Sequence, residues 1–224
     1  VDQKQGGQMD FNPSTDKFDT VNYGLGIDSK RIELFGKTGY VFGDPCLNQS
    51  VGFQSSVSFY DNESYFGLRS YKSNQLTQYN NLLYQKGFEG KSHQLKSGIS
   101  FLYDLYDEQF DTLSIKREEI VPGAFTEFTY SPAEKFSMVL GARVDYHNII
   151  GVMFNPRIHA KYHPSENTTI RLTSGRGQRI ANVFAENMSV FISSRDIIFD
   201  NATGDARLYG LKPETAWNNG ISVA

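Results

Sequence analysis

The chain has 224 residues, with 22 Lys and Arg against 25 Asp and Glu, and its formal charge of -3 gives no sign of a nucleic-acid partner. Its single cysteine, Cys46, excludes an internal disulfide framework and a thiolate cluster for zinc or iron–sulfur ligation. Abundant aromatic residues, 13 Tyr and 17 Phe, together with 20 Gly against 7 Pro, indicate a β-rich protein.

Residues 1–17 are polar and contain Asn12-Pro13, so they are predicted to form a loop. From Val21 onward, stretches in which apolar and polar residues alternate at period two predict β-strands. One of the clearest has Leu95, Ile99, Phe101, Tyr103 and Leu105 opposite Gln94, Lys96, Ser100 and Asp104.

The strands are joined by two kinds of predicted connection. Tight polar turns are expected near 28–30, 61–63, 89–91, 131–134 and 164–167. Longer excursions are expected near 43–50, 73–80, 106–118, 147–155 and 178–212. Strict alternation of short and long connections is typical of an up-and-down outer-membrane barrel, with the short turns in the periplasm and the long loops outside.

The stretch from Ala124 to Gly177 shows the two faces most plainly. Its strands carry one apolar face, with Met138, Leu140, Ala142, Val144, Tyr146, Ile158, Ala160, Tyr162, Ile170 and Leu172. The opposite face carries Ser137, Gly141, Arg143, Asp145, Arg157, His159, Lys161, Arg171 and Thr173. An apolar face toward lipid and a polar face toward a lumen are expected of a transmembrane β-barrel.

We therefore predict an all-β fold, an antiparallel up-and-down transmembrane barrel of which this chain supplies a part. About eleven strands of about 8–12 residues are expected, and about ten residues span the hydrocarbon at a tilt near 45°. Single-chain bacterial barrels usually have an even number of strands. The sequence also begins without a start Met or signal peptide and stops at GISVA inside a predicted strand. We expect a fragment of about half of a larger barrel.

Several short motifs recur in a fixed order through the second half of the chain. They are G-x-R-x-D at Gly141, Arg143 and Asp145, then Pro156-Arg157, G-x-G-x-R at Gly175, Gly177 and Arg179, and L-x-P-E at Leu211, Pro213 and Glu214. Their order and spacing resemble the barrel of TonB-dependent outer-membrane receptors, particularly those of Bacteroidetes. The resemblance covers about residues 20–224, and Gln178 departs from it where an aromatic residue is expected.

The resemblance implies a barrel of about 22 strands with a plugged lumen. Residues 1–224 would then be a partial barrel domain, and the plug domain and signal peptide would lie outside this chain. It further implies an outer-membrane receptor that binds a scarce nutrient, such as a ferric siderophore or another iron complex, and imports it with energy transmitted by TonB. The implied partners are the TonB complex, the receptor's own plug, a small-molecule or metal-chelate ligand and outer-membrane lipid.

Two groups of residues are candidates for contact with the ligand or the plug. The first comprises charged residues of the predicted lumen face, Arg143, Asp145, Arg157, His159 and Arg171. The second belongs to the longest excursion, Arg176, Arg179, Asn182, Glu186, Asn187 and Arg195, because binding residues concentrate on loops held by a rigid scaffold. The alternative for the first group is a lattice of structural salt bridges on a polar wall.

No nucleophile, base and orienting group match a catalytic signature, so no enzyme activity is predicted. The four histidines, His93, His147, His159 and His163, lack the spacing of a metal cluster, and neither a metal nor a cofactor is expected. Two alternatives to a receptor stay open at this point. One is a passive porin-like channel, and the other is a soluble all-β surface binding domain whose inner faces would be apolar.

Overall fold

The segments in which apolar and polar residues alternate form β-strands along most of the chain. The computed structural model describes residues 1–43, 47–88, 92–193 and 205–224. These ranges hold β1 (Asp2–Gly7), β2 (Gly24–Phe42), β3 (Gln49–Phe66), β4 (Arg69–Gly87), β5 (His93–Phe110), β6 (Leu113–Ala133), β7 (Phe136–His147), β8 (Gly151–Ser165), β9 (Thr168–Arg179) and β10 (Glu214–Val223). They also hold the short helix α1 (Val183–Glu186) and 3-10 helices at Met188–Ile192 and Ala206–Leu208.

All ten strands form one antiparallel sheet, and each strand pairs with its neighbours in the chain, in the order β1 to β10. The predicted all-β, up-and-down architecture is therefore confirmed. The described residues form ten strands rather than the predicted number of about eleven, because several segments that were predicted as turns and excursions are parts of longer strands.

The two predicted faces are confirmed by the register of the sheet. Val144 lies beside Ala124 of β6 and Phe154 of β8, and all three are on the apolar face. Asp145 lies beside Gly123 and Met153 on the opposite, polar face. Large apolar side chains on the apolar face are solvent-accessible rather than packed on a second layer, and among them are Ile32, Leu34, Phe59, Ile99, Leu140, Val144, Leu172 and Ile221.

The apolar band has the height of a hydrocarbon layer. On β5 it extends from Leu95 to Leu105, about the 9–11 residues that a tilted strand needs to cross a membrane. Beyond it the same face becomes charged: Asp107 lies beside Lys116 of β6, and their side chains form an ion pair at 2.9 Å. The strands β2 to β6 thus continue past the band as a polar extension.

This extension explains the wrong turn predictions. The polar triplets at 28–30 and 61–63 lie inside β2 and β3, where they pair with each other, as in Asp28↔Glu63. The predicted excursion at 73–80 lies inside β4, and that at 106–118 contains only the short turn at 111–112 between β5 and β6. At these positions both faces of the extension are polar, and this loss of alternation resembles a turn in sequence.

The predicted connections in the second half of the chain lie close to the observed ones. The turn predicted at 131–134 is found at 134–135, and the one at 164–167 is found at 166–167. The excursion at 147–155 shrinks to 148–150, and the longest connection covers 180–213. The predicted turn at 89–91, and Cys46 in the excursion at 43–50, lie outside the described residues.

The prediction that short and long connections alternate strictly is wrong. Because neighbouring strands are antiparallel, the strand ends that flank 43–48, 88–92, 134–135 and 166–167 lie at one end of the sheet, the short-turn end. The other end, the long-loop end, holds 8–23 and 180–213 but also the tight turns 67–68 and 111–112. Residues 1–17 are not only loop, since β1 pairs with the extension of β2 from Gly24 to Ser29.

The described parts of segment 180–213, residues 180–193 and 205–213, fold back over the polar face at the long-loop end. Phe184 and Phe191 pack against Phe110, with ring centroids 5.6 and 4.4 Å away respectively. The cluster also includes Phe66, Tyr71, Ile115 and Tyr209, all of them buried. This is the main apolar core of the described residues, and it fixes the long connection to the extensions of β3 to β6.

Candidate functional site

An arginine-lined cavity opens on the polar face in the region of β6 to β9. Its volume is about 300 Å³, and three arginines, Arg143, Arg157 and Arg176, are among the residues that line it. The remaining lining comes from Tyr79, Asn81, Phe125, Thr126, Gly141, Ala142 and Asn155. We call it the arginine cavity.

Arg143 is held in place by two hydrogen bonds to the wall. Its Nε donates to Asp145 Oδ2 at 2.7 Å, and its Nη2 donates to Ser100 Oγ at 2.7 Å. Asp145 is buried, and the space for its carboxylate exists because residue 123 is glycine: a Cβ there would collide with Asp145 Oδ1. The G-x-R-x-D motif therefore supplies a fixed arginine together with its counter-ion.

Arg157 of β8 lies on the polar face, whereas Arg176 of β9 pairs with Trp217 in the register of the apolar face. Arg157 forms an ion pair with Glu127 of β6 and crosses over Gly141, where a Cβ would lie 2.7 Å from Arg157 Cγ. Arg176 Nη1 donates to the carbonyl oxygen of Phe154 at 3.3 Å. The glycine of the motif is thus required by the close approach of the second arginine.

The chemistry of the arginine cavity favours an anionic guest that also carries a hydrogen-bond donor. Arg143 and Arg157 line the space, and their ion-pair partners Asp145 and Glu127 are not among the lining residues. Guanidinium groups match the geometry of carboxylates and phosphates and bind them in a bidentate manner. The buried Oδ1 atoms of Asn81 and Asn155 have no hydrogen-bond partner among the described residues, and each can accept from a guest.

His159 and Arg171 share the polar face with the arginine cavity but do not line it. His159 lies beside Val139 and Thr173, and Arg171 lies beside Lys161, closer to the short-turn end. Both side chains are exposed. The structure thus brings together Arg143, Asp145 and Arg157 from the first predicted group and leaves the other two apart.

The second predicted group divides between strand and loop. Arg176 and Arg179 lie in β9 rather than in the long excursion, because the strand continues to residue 179. Arg179 binds Glu186 with two hydrogen bonds, of 2.9 and 2.8 Å, and donates through Nε to Glu214 Oε2 at 2.8 Å. It therefore ties both ends of segment 180–213 together.

Asn182, Glu186 and Asn187 organise helix α1. Asn182 Oδ1 accepts from the backbone N–H of Ala185 at 3.2 Å and caps the helix. Asn187 Nδ2 donates to the carbonyl oxygen of Val183 at 2.9 Å. The hydrogen bonds from Arg179, and after them the one from the Asn182 N–H, lower the pKa of Glu186 below its ordinary value. Arg195 lies outside the described residues.

A buried polar network beneath segment 180–213 was missed by the sequence analysis. The fully buried carboxylate of Glu108 accepts from Tyr71 at 2.8 Å and from Tyr209, which arrives on the long connection. Burial, and after it the negative charge of Glu108, raises the pKa of the Tyr209 hydroxyl. The only sequence signal was that Glu108 shares its face with Phe110, within a stretch that looked like a charged excursion.

Arg117 forms the second half of this network. Its guanidinium lies 4.2 Å from the centre of the Tyr106 ring, and its Nε is 2.7 Å from Glu119 Oε1. His147 Nε2 lies 3.3 Å from the other oxygen of Glu119. Through Nη1, Arg117 also donates to the carbonyl oxygen of Arg207 at 3.4 Å. The long connection is thus joined to the wall by polar as well as apolar contacts.

Neither a metal centre nor a membrane helix stands out in the described ranges. No three His, Cys, Asp or Glu side chains there come together in a way that can hold a metal ion. No helix in the same part of the chain is both long and apolar enough to cross a membrane.

The comparisons with known proteins give the family. The sequence matches the TonB dependent receptor-like β-barrel family over residues 2–223. No curated protein matches it significantly. Among solved structures, the alcaligin outer-membrane receptor FauA of Bordetella pertussis is similar with a TM-score of 0.58 and 13% identity, over 72% of this chain and 32% of that one.

The copper transporter OprC is similar with a TM-score of 0.60 and 14% identity, over 89% of this chain and 38% of its own. At such identities the likeness shows the fold, and the chain spans about a third of the length of the structures it matches. The chain belongs to the family of TonB-dependent receptor-like β-barrels, which lie in the outer membrane of bacteria.

Proposed function

We propose that residues 1–224 form part of the barrel of a receptor that binds a scarce nutrient at the cell surface and imports it with energy transmitted by TonB. The complete barrel would have about 22 strands, enclose a plug domain and contact outer-membrane lipid through its apolar face. The observation that carries the proposal is the arginine cavity, a polar binding site on the wall that faces the lumen in this family.

The ligand class that suits this cavity is a small anion or an anionic metal chelate such as a ferric siderophore. The guanidinium groups of Arg143 and Arg157 favour carboxylate or phosphate oxygens, and two unpaired amide oxygens favour a guest with N–H or O–H groups. The fold relatives include a receptor for alcaligin and a copper transporter, which is in keeping with a metal-chelate ligand. A Bacteroidetes origin stays a prediction from the sequence motifs.

A carboxylate of the receptor's own plug is the other guest that this chemistry accepts. In that case the arginine cavity would hold the plug, and release of the plug would free the cavity for the passing ligand. The segment 180–213, attached over the polar face at the long-loop end, would line the entrance on the ligand's path.

Binding of an anionic ferric siderophore to the purified full-length receptor tests the proposal. The double substitution Arg143→Gln and Arg157→Gln should weaken binding by roughly tenfold or more, because each charge-assisted hydrogen bond contributes about 1.5–3 kcal/mol. Lys161→Gln is the matched control, since Lys161 is exposed on the same face of β8 and does not line the cavity. Equal affinity in all three proteins would contradict a ligand site in this cavity.

Passive transport is the alternative to active import. A porin-like channel would carry the same solutes down their gradient without TonB and without a proton gradient. A soluble binding domain is a poor alternative, because the apolar residues of this sheet lie on its accessible face rather than between two layers.

A further inference from the structure

A furrow of small side chains crosses the apolar face. Its floor is the row Ser97, Thr126, Ala142 and Pro156, which are direct neighbours in the ladders of β5 to β8. Two cavities of about 600 and 510 Å³ lie along this row and share Thr126 and Ala142. We call this continuous depression the furrow.

Large apolar side chains form its walls. One side has the row Leu82, Ile99, Ala124 and Val144, and the other has Phe128, Leu140 and Ile158. Tyr84 lines one end, and Trp217 of β10 lines the other. Rows on the same face are about 6.6–6.8 Å apart along the strand, so the furrow is as wide as one missing row of side chains.

The floor of the furrow offers water few unpaired polar groups. The hydroxyls of Ser97 and Thr126 lie 3.0 Å apart and bond to each other, and the rest of the floor consists of Ala142 and Pro156. Water therefore gains little by occupying the furrow, and an apolar guest leaves no polar group unpaired.

The width of the furrow determines which apolar molecules fit into it. A helix about 10–12 Å in diameter is too wide for a depression one row across, and a flat protein surface would leave it empty. A single linear hydrocarbon chain fits, and filling the furrow removes apolar surface from looser lipid contacts. The furrow is continuous with the band that faces lipid in this family, so acyl chains are the molecules already present there.

We propose that the furrow is a binding site for one acyl chain of an outer-membrane lipid, held longer than the surrounding lipid. Among the described residues that line the two cavities only Arg157 is charged, and its guanidinium pairs with Glu127 on the opposite face of the sheet. The site therefore recognises the chain and not the headgroup. It lies on the face opposite the side chains of Arg143 and Arg157, although Thr126 and Ala142 border both the furrow and the arginine cavity.

Retention of lipid by the full-length protein tests the proposal. The protein is equilibrated with dipalmitoyl-phosphatidylethanolamine, extracted into detergent, washed, and examined by native mass spectrometry. We expect one lipid per protein to remain, and the same result with dipalmitoyl-phosphatidylglycerol. In Ala142→Leu, whose larger side chain fills the floor, retention should fall by roughly tenfold. Ala160→Leu on the same face, outside both cavities, is the control and should retain the lipid.

A second measurement does not depend on these variants. Lipids with brominated acyl chains should continue to quench the fluorescence of Trp217 after the washes, measured as the difference between the protein and Trp217→Phe. Loss of quenching on washing would overturn the proposal. So would equal retention in Ala142→Leu and Ala160→Leu, retention that depends on the headgroup, or a protein dimer in place of the lipid.

Discussion

At the scale of single residues, glycines decide where the arginines of the polar face can lie. Residue 123 is glycine beneath the carboxylate of Asp145, and residue 141 is glycine beneath Arg157. The sequence showed the G-x-R-x-D motif but not the physical need for its glycine, because the residue that crosses Gly141 belongs to the next strand.

We predict that Gly123→Ala displaces Asp145 from Arg143. Because the added Cβ collides with a buried carboxylate that balances a guanidinium, the variant should lose about 1–3 kcal/mol of stability. Gly177→Ala is the control, since nothing lies within 4 Å of a Cβ there. Thermal unfolding followed by the gel shift of the heated barrel measures the difference, and identical midpoints for the two variants would contradict the assignment.

Two glutamines of β4, Gln75 and Gln78, lie on opposite faces of the sheet. Gln78 is exposed on the apolar face beside Val57, whereas Gln75 Nε2 donates to Asp104 Oδ1 at 3.0 Å on the polar face. Leucine at 78 should stabilise the barrel in bilayers by about 1–3 kcal/mol, because it removes an amide from lipid. Leucine at 75 should destabilise it. A destabilised Gln78→Leu would show that this face is not in contact with lipid.

At the scale of elements, segment 180–213 is held by aromatic packing. Phe184 is fully buried among Tyr71, Phe110 and Phe191. Phe184→Ala should weaken the packing of the segment against the sheet by about 3–5 kcal/mol. Residues 183–193 should then become open to hydrogen exchange. Val190, whose side chain is half exposed, supplies the control Val190→Ala, which should leave exchange unchanged. Equal protection in both variants would mean that the segment is held elsewhere.

The same segment should respond to acid through Glu186. Its pKa is lowered in the folded state, so its pairing with Arg179 stabilises the segment above the ordinary carboxyl pKa of 4.5. This stabilisation is lost as the pH falls through the lowered value. The protection factors of α1, in which the intrinsic pH dependence of exchange is divided out, should therefore be constant from neutral pH down to about 5 and fall in more acid solution. Glu186→Gln should remove that pH dependence, and an unchanged profile would exclude Glu186 as its source.

The sequence predicted those elements that cross the hydrocarbon and failed where strands leave it. Met138 to Tyr146 alternates cleanly because one face meets lipid and the other the lumen, and β7 is found there. Asp28 to Lys30 is polar on both faces because the extension of β2 is outside the band, and it resembles a turn. The contact between Glu108 and Tyr209 joins residues 101 positions apart, and no local pattern indicates it.

At the scale of the whole molecule, the two faces of a single sheet have different chemical character. Its apolar face carries the lipid band and the furrow, and its polar face carries the arginine cavity and the attached segment. Both edges of the sheet, β1 and β10, are exposed strands with one neighbour each. Unpaired edges are costly in lipid, so further strands are expected to pair with them in the outer membrane.

Energy dependence of uptake tests the central claim most directly. Cells that express the full-length receptor are given a radiolabelled anionic ferric siderophore, with and without a functional TonB, and with and without a protonophore. Active import predicts accumulation against the gradient that disappears when either TonB or the proton gradient is lost, although surface binding persists. Uptake that continues without both, and stops at equal concentrations on the two sides, would contradict the receptor and make the protein a passive channel.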